Sequence, residues 1–575
     1  MTSFLLSILI FLPCIIGGIL LFVSKEKHHI LKSGLIVSGI LQTILSGFIY
    51  FNFHSKPISN FAFWGIERFQ FIEKQDWINL HLGNLGHISI DYFLGVDGLN
   101  VSLVFLASFI VLIGAISSWS IEKNVKAYVL LYLLLSSSIL GCFLALDFFL
   151  FYLFFEFMLL PMYFLIGLWG GARSAYASIK FFLYTLLGSL FILVVIIVLG
   201  ASVIEPLETG RNLGLVGTDI QIIDKVQLML NQNLIDSKYL VHSFSLIDMS
   251  NINNIIPESL LTIIDSKLLL GYPARSLAFI ALMIGFMIKL PVVPFHTWLP
   301  DAHVEAPTPV SVVLAGILLK IGGYGILRTA YAIFPDGAIQ FAWWIGILGI
   351  ISIIYAAFNA LAMSDIKKMV AYSSVSHMGF VLLGIASITS EGINGSIFQM
   401  LSHGIIAALL FLICGVLYER THDRTIDYYK GLANKMPVYT AVVTVAFFAS
   451  LGLPGFSGFI GELFVLLGAF SSASGNQLLP QWIAVVATLG ILIGATYYLW
   501  TLQKMFFGKF SISAQLNLNP LLNDLTRREK IMLFPLVLIT LILGLFPSVI
   551  FDYTSTDISD FSNFVLHTGS QIVKK

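Results

Sequence analysis

The chain has 575 residues, of which 58% are hydrophobic and only 11% are charged, whereas soluble domains carry roughly 25% charged residues. This composition is typical of an integral membrane protein. Its 31 Lys and Arg balance its 31 Asp and Glu, which argues against a nucleic-acid-binding protein. Cys14, Cys142 and Cys414 are too few for a cluster held by four thiolates, and the sequence contains neither a dinucleotide fingerprint nor a P-loop. We therefore expect no redox cofactor, nucleotide or metal bound by this chain.

Apolar stretches long enough to cross a membrane recur along the whole chain. A helix needs about 20 apolar residues to cross about 30 Å of hydrocarbon, which predicts an all-α fold of about fourteen spans. Their starts lie near residues 3, 30, 94, 128, 148, 176, 276, 310, 341, 370, 395, 437, 481 and 531. No basic residue precedes the first stretch, and no cleavage site follows it, so we expect a retained helix and not a signal peptide.

The distribution of basic residues predicts the orientation of the spans. Seventeen of the 31 Lys and Arg fall in the odd-numbered loops, and none falls in the short even-numbered loops 4, 8, 10 and 12. Because cytoplasmic loops carry the excess of basic residues, we expect cytoplasmic odd loops and external termini. Residues 51–92 and the longer insertion 205–275 are then external, the second with short helices such as 219–230.

Two stretches of five spans resemble each other weakly. A shift of 218 residues places residues 144–147 near residues 361–365, and a shift of 160 aligns Pro294 with Pro454. Spans 4–8 and 9–13 are therefore predicted to be repeats, with opposite orientations because five is an odd number; such repeats are typical of ion transporters. Pro291 and Pro294 in span 7 and Pro454 in span 12 predict a broken helix at each position, because proline removes a helical donor.

These boundaries predict four parts of the chain. Residues 1–127 hold three spans and the external loop 51–92, and residues 128–332 hold the first repeat with its insertion 205–275. Residues 333–510 hold the second repeat. Residues 511–575 hold a cytoplasmic loop, the last span and an external tail.

Several ionisable residues lie deep within the predicted spans, where a charge costs about 2.5–3.5 kcal/mol and usually marks an ion pathway. The clearest are Glu156, Lys289, Lys320 and Glu462, joined at depth by His377 and His403. Glu156 beside Lys289 would keep both groups charged, and their separation would free the lysine to exchange a proton with Lys320. The alternatives are a buried counter-ion for Lys320 and an interhelical hydrogen bond for each histidine.

A second set of titratable residues lies nearer the cytoplasmic ends of spans 6 and 7. It comprises Lys180, His296, Asp301 and His303, with Glu305 close by. Proton uptake from the cytoplasm is one interpretation of this set. Snorkelling of Lys180 to the interface and capping or loop packing by the others are the alternatives.

One 40-residue segment carries a family resemblance. Residues 289–328 read KLPVVPFHTWLPDAHVEAPTPVSVVLAGILLKIGGYGILR, and supporting pieces are FFE at 154–156, SHMGF at 376–380, QMLSHG at 399–404 and GE at 461–462. Together these motifs resemble the antiporter-like membrane subunits of respiratory complex I, the NADH-quinone oxidoreductase. They are most similar to the M type, whose mitochondrial counterpart is subunit 4. The insertion 205–275 is longer than the family usually shows.

The resemblance implies a proton channel with a glutamate–lysine pair, a central lysine and a distal exit residue. The matching positions are Glu156 with Lys289, Lys320, and Glu462, with His377 and His403 on the connecting axis. A distal glutamate fits the M type better than the L or N types. The resemblance also implies NADH, FMN, iron–sulfur clusters and quinone in partner subunits, neighbouring antiporter-like subunits as partners, and the bacterial inner membrane as the location.

The function predicted from these residues is proton translocation driven by redox chemistry in other subunits. A subunit of a multisubunit cation/proton antiporter and a subunit of a membrane-bound hydrogenase stay open as alternatives. A purely structural membrane scaffold gives no reason for deep charges in two repeated units.

Overall fold

The computed structural model describes residues 4–55, 65–263, 267–512 and 522–574, and these are mostly helical. The helices are α1 Leu5–Leu20, α2 His28–Asn52, α3 Val101–Ser117, α4 Val125–Leu144, α5 Phe148–Phe157, α6 Leu159–Trp169, α7 Ser174–Gly200, α8 Pro206–Asn212, α9 Asp219–Asn231, α10 Leu246–Ser250, α11 Ala274–Lys289, α12 Trp298–Glu305, α13 Thr308–Val313, α14 Leu319–Gly325, α15 Pro335–Ala362, α16 Ile366–Ser387, α17 Ser390–Thr421, α18 Pro437–Ser450, α19 Ser457–Ser472, α20 Gln481–Phe506, α21 Arg527–Leu545 and α22 Ser548–Val573. The strands are β1 Gln70–His81, β2 His87–Val96, β3 Val241–Ser243, β4 Leu268–Leu269, β5 Tyr272–Pro273, β6 Tyr429–Lys430 and β7 Ser511–Ile512.

A helix begins within seven residues of each predicted span start. Among the described residues, ten helices are long and apolar enough to cross a membrane, or eleven if α21 and α22, bent by 60°, form one span. The first, seventh and twelfth predicted spans fall short of the required length, because α1 and α11 have 16 residues each and the twelfth is divided into α18 with 14 residues and α19 with 16. Helices α11, α18 and α19 are short because each ends or begins where a helix is interrupted.

The two predicted helix breaks are present in the structure. Helix α11 ends at Lys289 and α12 begins at Trp298, on either side of Pro291 and Pro294. Helix α18 ends at Ser450 and α19 begins at Ser457. Gly452 and Gly455 lie in the second break with φ of +76° and +98°, a left-handed backbone that glycine adopts without steric cost. Each break therefore leaves backbone groups that the helical ladder does not satisfy.

The most buried helices form the centre of the bundle. The most apolar 18-residue stretches of the segment Thr308–Tyr331 and of helix α17 are wholly buried, and that of α16 is nearly so. The first segment alternates between two helix types, because π-helical turns at Leu314–Leu318 and Ile326–Tyr331 flank α14. Short π-helical turns recur at functional sites. Lys320, His377 and His403 all lie on these central helices.

A small sheet and the C-terminal helix cover one end of the bundle. Strands β1 and β2 pair antiparallel, and β3 joins β2 in parallel. The predicted all-α class is therefore too narrow, and the third long helix begins at Val101 because residues 87–96 form a strand. Helix α22 occupies the tail, for which the sequence predicted no helix. Arg68 ties β1 to α22 by hydrogen bonds to Asp557 and Asp560 of 3.2 and 2.8 Å.

The insertion 205–275 contains the short helix expected at 219–230, observed as α9. Thr218 and Gln221 form a capping box at its start, in which each side chain binds the other residue's backbone. Its apolar face, Ile222, Val226 and Leu230, is buried in a small separate core.

Candidate functional site

The centre of the site is a contact between Lys320 of α14 and His403 of α17. The Lys320 side chain is wholly buried, and its Nζ lies 2.8 Å from Nδ1 of His403. The ammonium group also donates to the carbonyl of Ala315, at 2.5 Å. A buried cation without an acidic partner is expensive. The arrangement therefore favours a lysine that shares or gives up its proton.

His377 and Glu462 continue this contact towards the second helix break. The rings of His403 and His377 have centroids 5.5 Å apart, and Nδ1 of His377 lies 3.1 Å from Oε1 of Glu462. Helix α19 lies close enough because Gly461 faces α17: a Cβ there would come within 2.2 Å of Oε1 of Gln399. Four predicted residues thus form one row across three neighbouring helices and α14.

A chain of hydroxyl groups branches from His377. Its Nε2 lies 3.2 Å from Oγ of Ser450, which donates to the Tyr498 hydroxyl at 2.7 Å, and this hydroxyl donates to Oγ of Ser373 at 3.0 Å. Sequence reasoning missed these residues because serine and tyrosine are common in spans. Only the fold brings them together from α16, α18 and α20.

Glu156 and Lys289 differ from the prediction. Within the described residues no hydrogen bond or ion pair joins them, and neither Oε1 of Glu156 nor Nζ of Lys289 has a hydrogen-bond partner. The Lys289 ammonium lies over the rings of Phe155 and Phe181, with 4.9 and 5.7 Å to the centroids. The aromatic faces, which attract a cation, occupy the place of the direct ion pair.

The secondary candidates separate into a pair and two isolated histidines. Nζ of Lys180 lies 2.7 Å from Oδ2 of Asp301, so the two side chains form an ion pair. His296 lies beside the rings of Tyr355 and Tyr372, with centroid distances of 5.5 and 6.2 Å. His303 is fully buried and stacks on Phe411 at 4.3 Å, and neither of its ring nitrogens has a hydrogen-bond partner in the part of the chain that the structure describes.

Two buried cations were not among the candidates. Lys367 is buried at the second residue of α16 and donates to the carbonyl of Ala306 at 2.7 Å. Arg328 forms a bidentate pair with Asp97, with distances of 2.8 and 2.6 Å. Basic residues near span ends usually reach solvent, so no local sequence pattern predicts the burial of either residue.

The structure also bears on bound groups. Among residues 4–55, 65–263, 267–512 and 522–574, no cluster of three or more His, Cys, Asp or Glu has the geometry of a metal site. The chemistry that the described side chains support is proton exchange between neighbouring titratable groups.

Broken helices and a buried row of titratable groups define an antiporter-like membrane subunit. The family profile for "NADH:quinone oxidoreductase/Mrp antiporter, TM" matches residues 145–203 and 228–494. The NADH-quinone oxidoreductase subunit M of Rhodobacter capsulatus is 38% identical over 557 residues, covering 95% of this chain and 94% of the relative. The NADH-ubiquinone oxidoreductase chain 4 of Marchantia polymorpha is 33% identical, covering 98% and 97%. The chain belongs to the subunit M family of NADH-quinone oxidoreductase.

Solved structures agree with this fold. A chain of respiratory complex I from Thermus thermophilus matches with a TM-score of 0.74 and 26% identity, over 97% of this chain and 99% of the other. A chain of the Mrp complex from Dietzia has a TM-score of 0.72 at 19% identity, over 100% and 99%. The second likeness concerns the fold alone.

Proposed function

We propose that this chain translocates protons as a membrane subunit of an NADH-quinone oxidoreductase, in response to electron transfer from NADH to quinone in other subunits. The observation that carries the proposal is the buried row Lys320–His403–His377–Glu462. Such a row is expensive to bury, and among the described residues Glu462 is the acidic side chain that contacts it. Proton transfer between neighbouring groups is a function that accounts for burying this row.

The roles in the row follow from its contacts. Lys320 receives a proton and passes it to His403, whose ring lies in hydrogen-bond contact with the ammonium. His403 and His377 relay it, because each imidazole can accept a proton on one nitrogen and release one from the other. Glu462 accepts the proton from His377 and releases it beyond the second break.

Glu156 and Lys289 supply the gate in this proposal. Both have unsatisfied polar atoms at depth, which only water or a changed side-chain position can satisfy. Movement of Lys289 from the phenylalanine rings towards Glu156 would hold its proton, and the reverse movement would release it. Lys180, Asp301 and His296 lie on the side of the first break from which we expect protons to arrive.

We also propose that the fold contains two inverted repeats. Equivalent hydrogen bonds support two inverted repeats of five spans, within residues 128–332 and 333–510. Phe148 N donates to Phe244 O as Ile366 N donates to Arg424 O, and Leu246 N donates to Leu146 O as Ile426 N donates to Ser364 O. Asp147 and Asp365 cap the helices that follow. Fourteen spans, counting each broken helix once, place both termini on the same side of the membrane. This side is external because the odd-numbered loops carry the excess of basic residues.

Cofactors and partners follow from the family. We assign NADH, FMN, iron–sulfur clusters and quinone to other subunits, since this chain contributes the proton row. Its partners are other membrane subunits of the complex, including neighbouring antiporter-like chains in the bilayer of a bacterial inner membrane. Energy then reaches the row through contacts between subunits.

The test is quinone-dependent proton pumping by the intact complex in liposomes carrying Lys320→Met. We expect the complex to assemble and the proton yield to fall by about tenfold or more, as for loss of a proton-transfer group. Lys435→Met, the same exchange at an exposed position, is the control. Unchanged pumping and turnover with Lys320→Met would refute the proposal.

The Mrp complex shares the fold, so cation/proton antiport is the competing function. Antiport predicts proton movement that depends on a sodium gradient and persists without NADH. Redox-driven translocation predicts proton movement that follows NADH oxidation and is the same in sodium-free and sodium-containing buffer.

A further inference from the structure

Two histidines face each other at the tip of the β1–β2 hairpin. His81 ends β1, His87 begins β2, and the register places them directly opposite each other across the two strands. Their rings are stacked, with centroids 4.1 Å apart and an angle of 27° between the planes. His81 is exposed and His87 is half-buried. The two imidazoles therefore lie side by side where ions in solution can reach them.

The ring nitrogens of this pair are available to a ligand. In the part of the chain that the structure describes, neither ring has a hydrogen bond or an ion pair with a protein group. The pair lines an open recess of about 500 Å³, in which Asn84 and Asn212 supply amide oxygens. The ammonium of Lys238, also in the wall, lies 3.1 Å from Oδ2 of Asp236, and this ion pair weakens its repulsion of a second cation.

The backbone that carries the pair is held by the insertion 205–275. His87 N donates to Leu240 O at 2.9 Å, and β3 continues this contact as a parallel neighbour of β2. Gly86 permits the close approach, because a Cβ there would lie 2.4 Å from Leu240 O. The hairpin tip is thus fixed before any ligand arrives, which lowers the entropic cost of binding.

The spacing of the rings fits one metal ion between them. Zn²⁺ binds imidazole nitrogen at about 2.0–2.1 Å with tetrahedral geometry, which places two such nitrogens about 3.4 Å apart. Rings with centroids 4.1 Å apart reach this separation by small rotations of the side chains. Directly opposite residues of antiparallel strands have Cβ atoms about 4.5–5.5 Å apart, so the backbone need not move.

We propose that the hairpin tip binds one divalent transition metal ion, Zn²⁺ or Cu²⁺, through one ring nitrogen each of His81 and His87. Imidazole is a favoured ligand of both ions. Two imidazoles are fewer than the four ligands of a closed structural zinc site, so water or the amide oxygens of Asn84 and Asn212 complete the coordination. The ion then exchanges with solvent. Neither histidine belongs to the proton row, so metal binding does not depend on proton translocation.

The first experiment measures Zn²⁺ binding to the purified intact complex by equilibrium dialysis. It compares wild type with His81→Gln, His87→Gln and the double variant, because glutamine is polar but has no imidazole. We expect the double variant to bind one Zn²⁺ fewer per complex. Each single variant should bind this ion at least about tenfold more weakly, since even groups that only orient a metal ligand contribute about 10–100-fold.

His54→Gln is the control, at another exposed histidine of the same part of the chain, and it should bind Zn²⁺ as wild type does. Equal stoichiometry and affinity in wild type and the double variant would show that the two rings only stack, and would overturn the proposal. A loss in His54→Gln as large as that in the double variant would overturn it as well.

The second experiment locates the ion by amide hydrogen exchange. An ion held by both histidines links the ends of β1 and β2, so Zn²⁺ should slow exchange several-fold within residues 81–87 of wild type and leave the double variant unchanged. Helix α9, which contains no histidine, is the internal reference. Unchanged exchange at residues 81–87 of wild type in saturating Zn²⁺ would overturn the proposal, whereas Lys320→Met separately tests the proposed function.

Discussion

The six residues proposed to carry protons divide into two halves that differ in how their side chains meet. From Lys320 to Glu462 each side chain contacts the next, through distances of 2.8 and 3.1 Å and one ring pair at 5.5 Å. Glu156 and Lys289, in the other half, have no hydrogen bond or ion pair between them, and phenylalanine rings surround the ammonium. One half is a continuous set of contacts, and the other is interrupted.

This difference indicates where a gate belongs. Proton transfer along a row in contact needs no large movement, so such a row cannot by itself prevent back-flow. The interrupted half requires water or a side-chain movement before a proton can cross. In the proposed mechanism the gate therefore lies at Lys289, which ends α11 at the first break.

The largest expected effect comes from breaking the continuous half. His403→Phe removes the contact with Lys320 and keeps the ring volume, so we expect proton pumping to fall by about tenfold or more while NADH oxidation slows with it. Pumping by liposomes and NADH oxidation measured on one preparation test this. The control is His28→Phe at an exposed histidine of α2. Full pumping by His403→Phe would mean that protons bypass the continuous half.

A smaller effect is expected from moving the halves apart. A Cβ on Gly322 would lie 2.6 Å from Leu290 N and 2.9 Å from Phe286 O, both backbone atoms at the end of α11. Gly322→Ala must therefore shift α14 from the first break, at a cost of about 1–3 kcal/mol. We expect pumping to fall several-fold and the complex to unfold at a lower temperature, as measured by a thermal assay.

Gly323→Ala is the matched control. Its Cβ would meet the Met400 sulfur at 2.6 Å, on a flexible side chain that can move. It should therefore cost less than Gly322→Ala in both measurements. Equal losses in the two variants would show that spacing between the halves does not matter.

The sequence predicts well which charged residues are buried and where helices break, because these features depend on depth in a span and on backbone chemistry. Charged groups far inside apolar spans are expected to face the interior of the bundle. Lys320, His403, His377 and Glu462 are indeed buried there. Prolines located both helix breaks, because a missing donor interrupts any helix. The family followed from the 289–328 segment and is shown by the comparisons.

Other features depend on packing that no local pattern encodes. The π-helical turn at Leu314–Leu318, just before Lys320, packs against α3 and α17, which lie far away in the sequence. Burial of Lys367 requires the end of α12 to lie over the start of α16. The Lys289 ammonium lies over the rings of Phe155 and Phe181, a contact that only the folded chain brings about. The segment of the β1–β2 hairpin has mixed polar and aromatic residues, so its sequence predicts only an external loop.

The smallest expected effect is a difference in coupling free energy between the two halves. In a double-mutant cycle, residues in contact show coupling of about 0.5–3 kcal/mol, and residues without shared contacts add within about 0.5 kcal/mol. For Lys320→Met with His403→Phe we expect coupling near 1 kcal/mol or above. For Glu156→Gln with Lys289→Met we expect additivity. The free energy of unfolding, measured by SDS titration in mixed micelles, gives both values, and strong coupling of the second pair would show that a direct Glu156–Lys289 ion pair is the dominant resting state.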